Sequence, residues 1–290
     1  MQANPVTDLS SLRADARRTQ WLLVPALAWL GLFFVLPLLI VFLISFATRS
    51  AYGGVEWTFT PANYRDLGDP LYLWIYLRSC AMALATTAVC LVLGFPLAYH
   101  IARAPARWQG VWLILVLIPF WTNFLVRTYA WMNLLRADGL LTALFTGTGL
   151  TSGPLEILYT DGAVLIGLVY GYLPFMVLPL YVAIERLDRS LLDAARDLYA
   201  SGWAVFACVI VPLTKPGIVA GCLLVFIPSL GAYITPDLLG GARSMMIGNF
   251  IQHEYLVVRD WPLGSAASFV LMAMVVAGLW GYHRAGGARA

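Results

Sequence analysis

Charge is what this sequence has least of. Only 11% of its 290 residues are Asp, Glu, Lys or Arg, and 61% are hydrophobic, with a mean hydropathy of +0.79. Soluble domains carry about a quarter charged residues, so a water-soluble globule is excluded and lipid is the solvent for most of the chain. The net charge of +3 gives no basic footprint for nucleic acid, and no nucleic-acid partner is expected. The four cysteines (Cys80, Cys90, Cys208, Cys222) all fall in apolar runs, without a CxxC pair. They offer neither metal spacing nor a disulfide framework and read as small hydrophobes. The three histidines are scattered and make no nucleophile–base or metal constellation. No GxxxxGK[ST] loop occurs, so any ATP site serving this chain belongs to another chain.

What the sequence does have is long apolar runs. A spanning helix needs about 20 apolar residues, and six segments qualify: 21–47, 76–101, 110–135, 162–185, 205–230 and 264–284. Residues 1–20 and 285–290 are left as tails. The first run is too long for a signal-peptide core and lacks a small-x-small cleavage site, so it is expected to be retained. With the N-terminus inside, the inner segments hold eleven Lys and Arg against six in the outer ones, and the outer segments hold nine of the fifteen acids. Both termini are therefore expected in the cytoplasm. The fold class is an all-α integral membrane protein of six spans. The outer segments are too short and too rich in Gly and Pro for a soluble domain.

Between spans four and five lies a stretch that lipid does not explain. Residues 191–200 read as a short amphipathic helix. Leu191, Leu192, Ala194, Ala195 and Leu198 are expected on its apolar face, and Asp188, Arg189, Asp193, Arg196 and Asp197 on its polar one. Asp193 and Asp197 stand one turn apart. Ser190 or Asp188 can cap its start, and Ser201-Gly202 breaks it. An interfacial helix lying on headgroups would be rich in Lys or Arg. Mixed charge and small residues suit a groove on a soluble partner instead.

Here the residues resemble a family. The EAA motif of bacterial ABC importer permeases runs Glu-Ala-Ala, three residues, Gly, nine residues, Ile-x-Leu-Pro. This chain has Asp193-Ala194-Ala195, then Tyr199, then Val209-Ile210-Val211-Pro212, with identical spacing. Asp replaces Glu with charge kept, and Tyr199 stands where the family has its turn glycine. If φ is positive there, a Tyr costs about 1 kcal/mol or more, and Gly202 is the residue expected to take over the turn. The runs 119–131 (PFWTNFLVRTYAW), 172–179 (YLPFMVLP), 226–229 (FIPS), 236–241 (PDLLGG) and 259–262 (RDWP) look like the spermidine/putrescine permease subfamily, a resemblance covering about residues 20–284.

The resemblance implies a type I ABC importer permease with a cytoplasmic coupling helix between helices four and five. Its coupling loop would be 186–216, using Asp193, Ala194, Ala195, Asp197, Tyr199, Gly202 and Pro212. It implies a second related permease, two cytoplasmic ATPase subunits carrying ATP and Mg, and a periplasmic or surface solute-binding protein, in a bacterial inner membrane. The chain itself would hold no cofactor and no catalytic residue. The cargo implied is a polyamine such as putrescine or spermidine. Relatives of this pattern also leave room for an amino acid, an opine or an organic anion.

Arg127 is the clearest charge at membrane depth, and such residues default to a functional role. Otherwise it snorkels to the outer interface or pairs with an acid such as Asp161. Polyamine passage calls for aromatic faces and carboxylates, at about 0.5–2 kcal/mol per cation–π contact. The candidates are Trp121, Trp131, Tyr170, Tyr172 and Tyr233, with Asp237 and Glu254 at the outer mouth and Asn123 on the face of Arg127. Each aromatic has packing or belt anchoring as its alternative. The apolar run 245–251 is too short to span. It reads as an outer re-entrant or surface helix meeting the binding protein, or as a plain loop. An ion-coupled secondary transporter would show internal repeats and mid-span carboxylates, neither of which is visible.

Overall fold

Prolines and apolar length between them set the helices. The computed structural model describes residues 24–50, 53–149, 153, 156–241 and 244–284; both tails, the first residues of span one and Arg243 lie outside these. Five helices are long and apolar enough to cross a membrane. They are α1 (Val24–Ile44), α3 (Pro70–Arg103), α7 (Asp161–Glu185), α9 (Gly202–Leu230) and α11 (Trp261–Arg284). Between α1 and α3 come a two-residue antiparallel ribbon, Thr48–Arg49 with Val55–Glu56, and a short helix α2 (Ala62–Asp66).

Span three differs from the single helix expected over 110–135. It is α4 (Ala106–Trp121) and a second helical segment, Phe124–Gly147, meeting at 87°. That second segment comprises α5 (Phe124–Leu135) and α6 (Leu140–Gly147). The cause is local: Pro119 ends the first piece and Asn123 caps the next.

Span five also differs. The short helix α8 (Arg189–Asp197) is followed by α9, which begins at Gly202 and runs unbroken through Pro212, Pro216 and Pro228. Pro212 therefore does not delimit a loop. The helix absorbs it by widening, because a proline has no N–H to offer the carbonyl one turn back. The N–H of Val211 instead reaches Phe206 five residues back, in a π turn over Phe206–Ile210. Leu36, just before Pro37, does the same with Gly31.

Helices α3, α7 and α9 pack on one another as the centre of the bundle. Two glycines let α9 approach α7. A Cβ at Gly217 would lie 2.8 Å from the Pro179 carbonyl oxygen, and one at Gly221 would lie 2.7 Å from the Met176 sulfur. Lipid supplies no hydrophobic drive between helices, so close backbone contact is what holds them. Cys90, Met176, Val177, Leu180 and Val225 fill the space between the three. By contrast, α1 buries none of its spanning window and presents apolar side chains all round, consistent with a lipid-facing helix.

The run 245–251, expected as a re-entrant or surface helix or as a plain loop, is neither plain loop nor surface helix. The run after Met245 forms α10 (Ile247–His253), buried at Ile247, Gly248, Asn249 and Phe250 and packed against α11 and α3. Its first N–H, from Ile247, is taken by Ser79 Oγ at 2.8 Å.

Candidate functional site

At one end of the bundle α8 stands on the core like a peg. The carboxylate of Asp188, not the Ser190 hydroxyl, caps it, accepting the Ser190 N–H at 2.9 Å. That bond holds the Asp188 carboxyl below its usual range. The other end closes in a Schellman motif. The N–H of Ala200 donates to the Ala195 carbonyl at 3.1 Å and that of Tyr199 to the Arg196 carbonyl at 2.8 Å. Such a motif needs one left-handed residue, and Tyr199 supplies it with φ 61°. Tyr199 therefore occupies the turn conformation itself, and Gly202 does not take it over. Gly202 is instead the first residue of α9, capped by Ser201, whose Oγ accepts the Ala204 N–H at 3.3 Å.

The apolar face expected on this helix divides in two. Leu192, 4% exposed, and Ala195 point into the core beside Ile184, Val205 and Ala200. Leu191, Ala194, Leu198 and Tyr199 point outward, Tyr199 being 98% and Leu198 82% exposed. Asp193 and Asp197 share the open side, and Asp193 pairs loosely with Arg196 at 3.7 Å. Pro212 is exposed on α9. The inner face anchors the helix on α7 and α9, and the outer one offers apolar side chains ringed by acids. The outward position of Leu198 was readable as seven residues from Leu191 on one stripe. Trp203, also exposed, carried no such signal.

The second constellation lies at the bend of span three. Asn123 is exposed and its Oδ1 accepts the Leu125 N–H at 2.9 Å, so it serves as a cap rather than as a wall beside Arg127. The Pro119 carbonyl, left without its helical donor, accepts the Thr122 hydroxyl at 2.7 Å and Arg127 Nη1 at 2.9 Å. The Arg127 guanidinium then sits over three rings, Phe124 at 5.3 Å, Tyr170 at 5.8 Å and Phe120 at 5.9 Å. Among the described residues no carboxylate lies within 4 Å of it. Asp161 pairs with Arg78 instead and accepts the Ser244 hydroxyl at 2.6 Å. Arg127 therefore does not pair with Asp161: it clamps the elbow.

Trp131 meets Tyr170 edge to face at 5.3 Å, and Phe175 links Phe120 (5.1 Å) to Tyr172 (6.2 Å). The Tyr172 hydroxyl donates to the Pro228 carbonyl of α9 at 3.2 Å. Arg127, Trp131, Tyr170 and Tyr172 are thus brought together. Phe120, Phe124 and Phe175 complete the cluster; only Phe124, one turn before Arg127, could have been found by spacing. Trp121 ends α4 largely exposed. Tyr233 is partly exposed and lends its carbonyl to Asn249. Asp237 is exposed, and its side chain makes no hydrogen bond or ion pair among the described residues. Glu254 does not face the mouth. It is 8% exposed, abuts Gly264 of α11 and lies 3.9 Å from His253 Nδ1. Burial and the nearby Asp260 push its carboxyl above the usual range.

Comparison with known proteins shows the family. Residues 90–283 match the family of binding-protein-dependent transport system inner membrane components. The chain is 46% identical over 264 residues to the spermidine/putrescine transport system permease protein PotB of Escherichia coli K12, covering 91% of this chain and 96% of that one. It is 43% identical over 258 residues to PotB of Haemophilus influenzae, covering 89% and 90%. Among solved structures, a chain of the bacterial alginate ABC transporter superposes with a TM-score of 0.70 at 15% identity, covering 95% and 96%. A chain of the MetNI methionine transporter superposes at 0.54 and 18%, covering 76% and 98%. The folds are alike. This chain belongs to the binding-protein-dependent ABC importer permeases, as a multi-pass inner-membrane transport subunit and not an enzyme.

Proposed function

We propose that this permease moves a polyamine, putrescine or spermidine, inward by alternating access. The observation that carries the cargo is the 46% identity to PotB over nine-tenths of the chain. The machine would comprise a second related permease, two cytoplasmic ATPase subunits that bind ATP and Mg, and a solute-binding protein at the outer face. α8 is the docking element: its outer stripe of Leu191, Ala194, Leu198 and Tyr199 enters an ATPase groove, with Asp193 and Asp197 meeting cations at the rim. The end of the bundle that bears α8, and with it both termini, faces the cytoplasm.

The bend of span three lines the path. Arg127 already stacks on Phe120, Phe124 and Tyr170, so these faces are taken by the protein's own cation. A solute ammonium is left with Trp131, Tyr172 and the more exposed Trp121 and Tyr233. Asp237, exposed and unpaired among the described residues, supplies an attracting carboxylate. The test is ATPase activity of the reconstituted complex with its binding protein, offered putrescine, spermidine or a neutral amino acid. Stimulation by polyamine alone is expected. Continued hydrolysis without polyamine stimulation would keep the importer and discard the cargo.

A further inference from the structure

Where α3 ends and α4 begins, at the same end of the bundle as α8, a cleft of about 480 Å³ opens between His100, Arg103, Ala104, Pro105, Trp108 and Trp112. Ile101 and Ala102 at this corner pack into the core that also holds Leu192 of α8, and Gln109 ties the turn by donating to the Ala102 and Ala104 carbonyls. The corner is therefore fixed by its surroundings.

Four observations make it a site for an anion. Arg103 Nε and Nη2 are buried without any hydrogen-bond partner among the described residues, and no carboxylate lies within 4 Å of the guanidinium there. Its one compensating contact is the Tyr99 ring at 5.3 Å. The residue as a whole is half-buried, but two N–H-bearing nitrogens buried without an acceptor are costly unless an anion meets them. Second, α4 starts behind Pro105 with no side-chain cap, so its first N–H groups and its positive dipole end face the same corner. Third, no Asp or Glu occurs anywhere from residue 70 to residue 137, so nothing on either helix competes for Arg103. Fourth, the remaining walls are a half-exposed Trp108 and a Trp112 set edge-on to His100 at 5.5 Å, ring types that settle at the membrane–water boundary.

The ligand is of lipid chemistry, because an apolar groove of about 630 Å³ adjoins the cleft. It runs along α3 and α9 past Val92, Phe95, Tyr99, Phe206 and Ile210. Tyr99 links the two: it lines the groove, and its ring lies 5.3 Å from the Arg103 guanidinium that lines the cleft. We propose that this corner binds one anionic phospholipid of the leaflet on the α8 side, its phosphate on Arg103 and the start of α4, and an acyl chain in the groove beside Tyr99.

The test uses the full-length chain in nanodiscs of phosphatidylcholine doped with phosphatidylglycerol, read by native mass spectrometry after release into detergent. The wild type is expected to retain one phosphatidylglycerol in preference to phosphatidylcholine, Arg103→Lys to keep it, and Arg103→Gln to weaken retention about ten-fold. Arg107→Gln, an exposed neighbour, is expected to retain it unchanged. Brominated phosphatidylglycerol should quench wild-type tryptophan fluorescence more than it quenches the Trp108→Phe/Trp112→Phe variant, which tests the site even if Arg103→Gln fails to fold. Equal retention of the two lipids, equal loss in Arg107→Gln and Arg103→Gln, or occupation by inorganic phosphate without any lipid preference would overturn the assignment.

Discussion

Replacing Tyr199 by glycine should stabilise the docking helix, although it removes a large aromatic side chain. The side chain is 98% exposed and so contributes no packing within this chain, while its backbone is held at φ 61°. A left-handed conformation costs an L-residue roughly 1–2 kcal/mol and glycine almost nothing. Glycine gives part of this back as extra freedom in the frayed alternative, leaving a net gain of about 1 kcal/mol. The gain concerns local opening of the turn, whose amides at Leu198, Tyr199 and Ala200 bond to Ala194, Arg196 and Ala195. In hydrogen exchange of the isolated permease these three should slow about five-fold in Tyr199→Gly, the factor that 1 kcal/mol represents. Tyr199→Ala keeps the left-handed strain and should exchange as the wild type does. Unchanged or faster exchange in Tyr199→Gly, or equal slowing in Tyr199→Ala, would refute the reasoning. In the assembled importer, by contrast, Tyr199→Ala should lower coupled uptake, because it removes outward apolar surface.

Other expectations follow from the packing and the charges. Asp193→Lys leaves the fold intact, since its exposed pair with Arg196 is worth at most about 1 kcal/mol, but it uncouples ATP hydrolysis from uptake; normal uptake by this variant would remove α8 from the docking role. Gly217→Val drives a side chain into the Pro179 carbonyl and should destabilise the bundle by about 1–3 kcal/mol, read as a lower melting temperature in detergent. Arg127→Gln takes the cation from three aromatic faces, about 1.5–3 kcal/mol in all, and should accelerate exchange of the Arg127 amide, bonded to the Asn123 carbonyl, by ten-fold or more on the order-of-magnitude scale; Arg127→Lys should recover part. Glu254 has its carboxyl raised by burial, so the folded state holds this proton more tightly than the unfolded one. Its stabilising contribution is complete below the unfolded value and is lost as pH rises through the folded value. Glu254→Gln should therefore raise the melting temperature at about pH 8 and leave it unchanged at about pH 4; a loss of stability at the higher pH would contradict this.

The spans were legible because lipid asks little of a sequence beyond apolar length: four of the six segments correspond to helices within three residues at each described end, and α3 begins six residues before its segment. α8 was legible as a helix for the opposite reason, since a charged amphipathic stretch between two apolar ones has no use inside a bilayer. The bend at residue 122 was harder to see. Hydropathy runs straight through Pro119-Phe120-Trp121-Thr122-Asn123, and the break is written only in a proline followed by a capping asparagine, a pattern that hydropathy ignores. Tyr199 shows the limit of residue-type rules: the conformation the family assigns to glycine is retained without glycine, because three backbone hydrogen bonds and the buried Leu192 hold the turn. Glu254 was misplaced because a glutamate near an outer loop reads as exposed, whereas the π turn over Glu254–Val258 rotates it against α11. The partner of Arg127 is a backbone carbonyl, which no sequence pattern announces.

The unbroken course of α9 has a mechanical consequence. Its 29 residues make a rod of about 43 Å, one end rooted beside the docking helix at Ser201 and the other emptying into the outer segment at Gly231. Near its middle Gly217 and Gly221 let it lie close against Pro179 and Met176 of α7. A rod held at its midpoint is a seesaw. A tilt of about 10° about that contact would carry each end roughly 4 Å in opposite directions, for a rod of this helical rise. A push at the ATPase side would then arrive at the outer mouth with its sign inverted, so that the two ends of the path cannot be opened together by this helix alone.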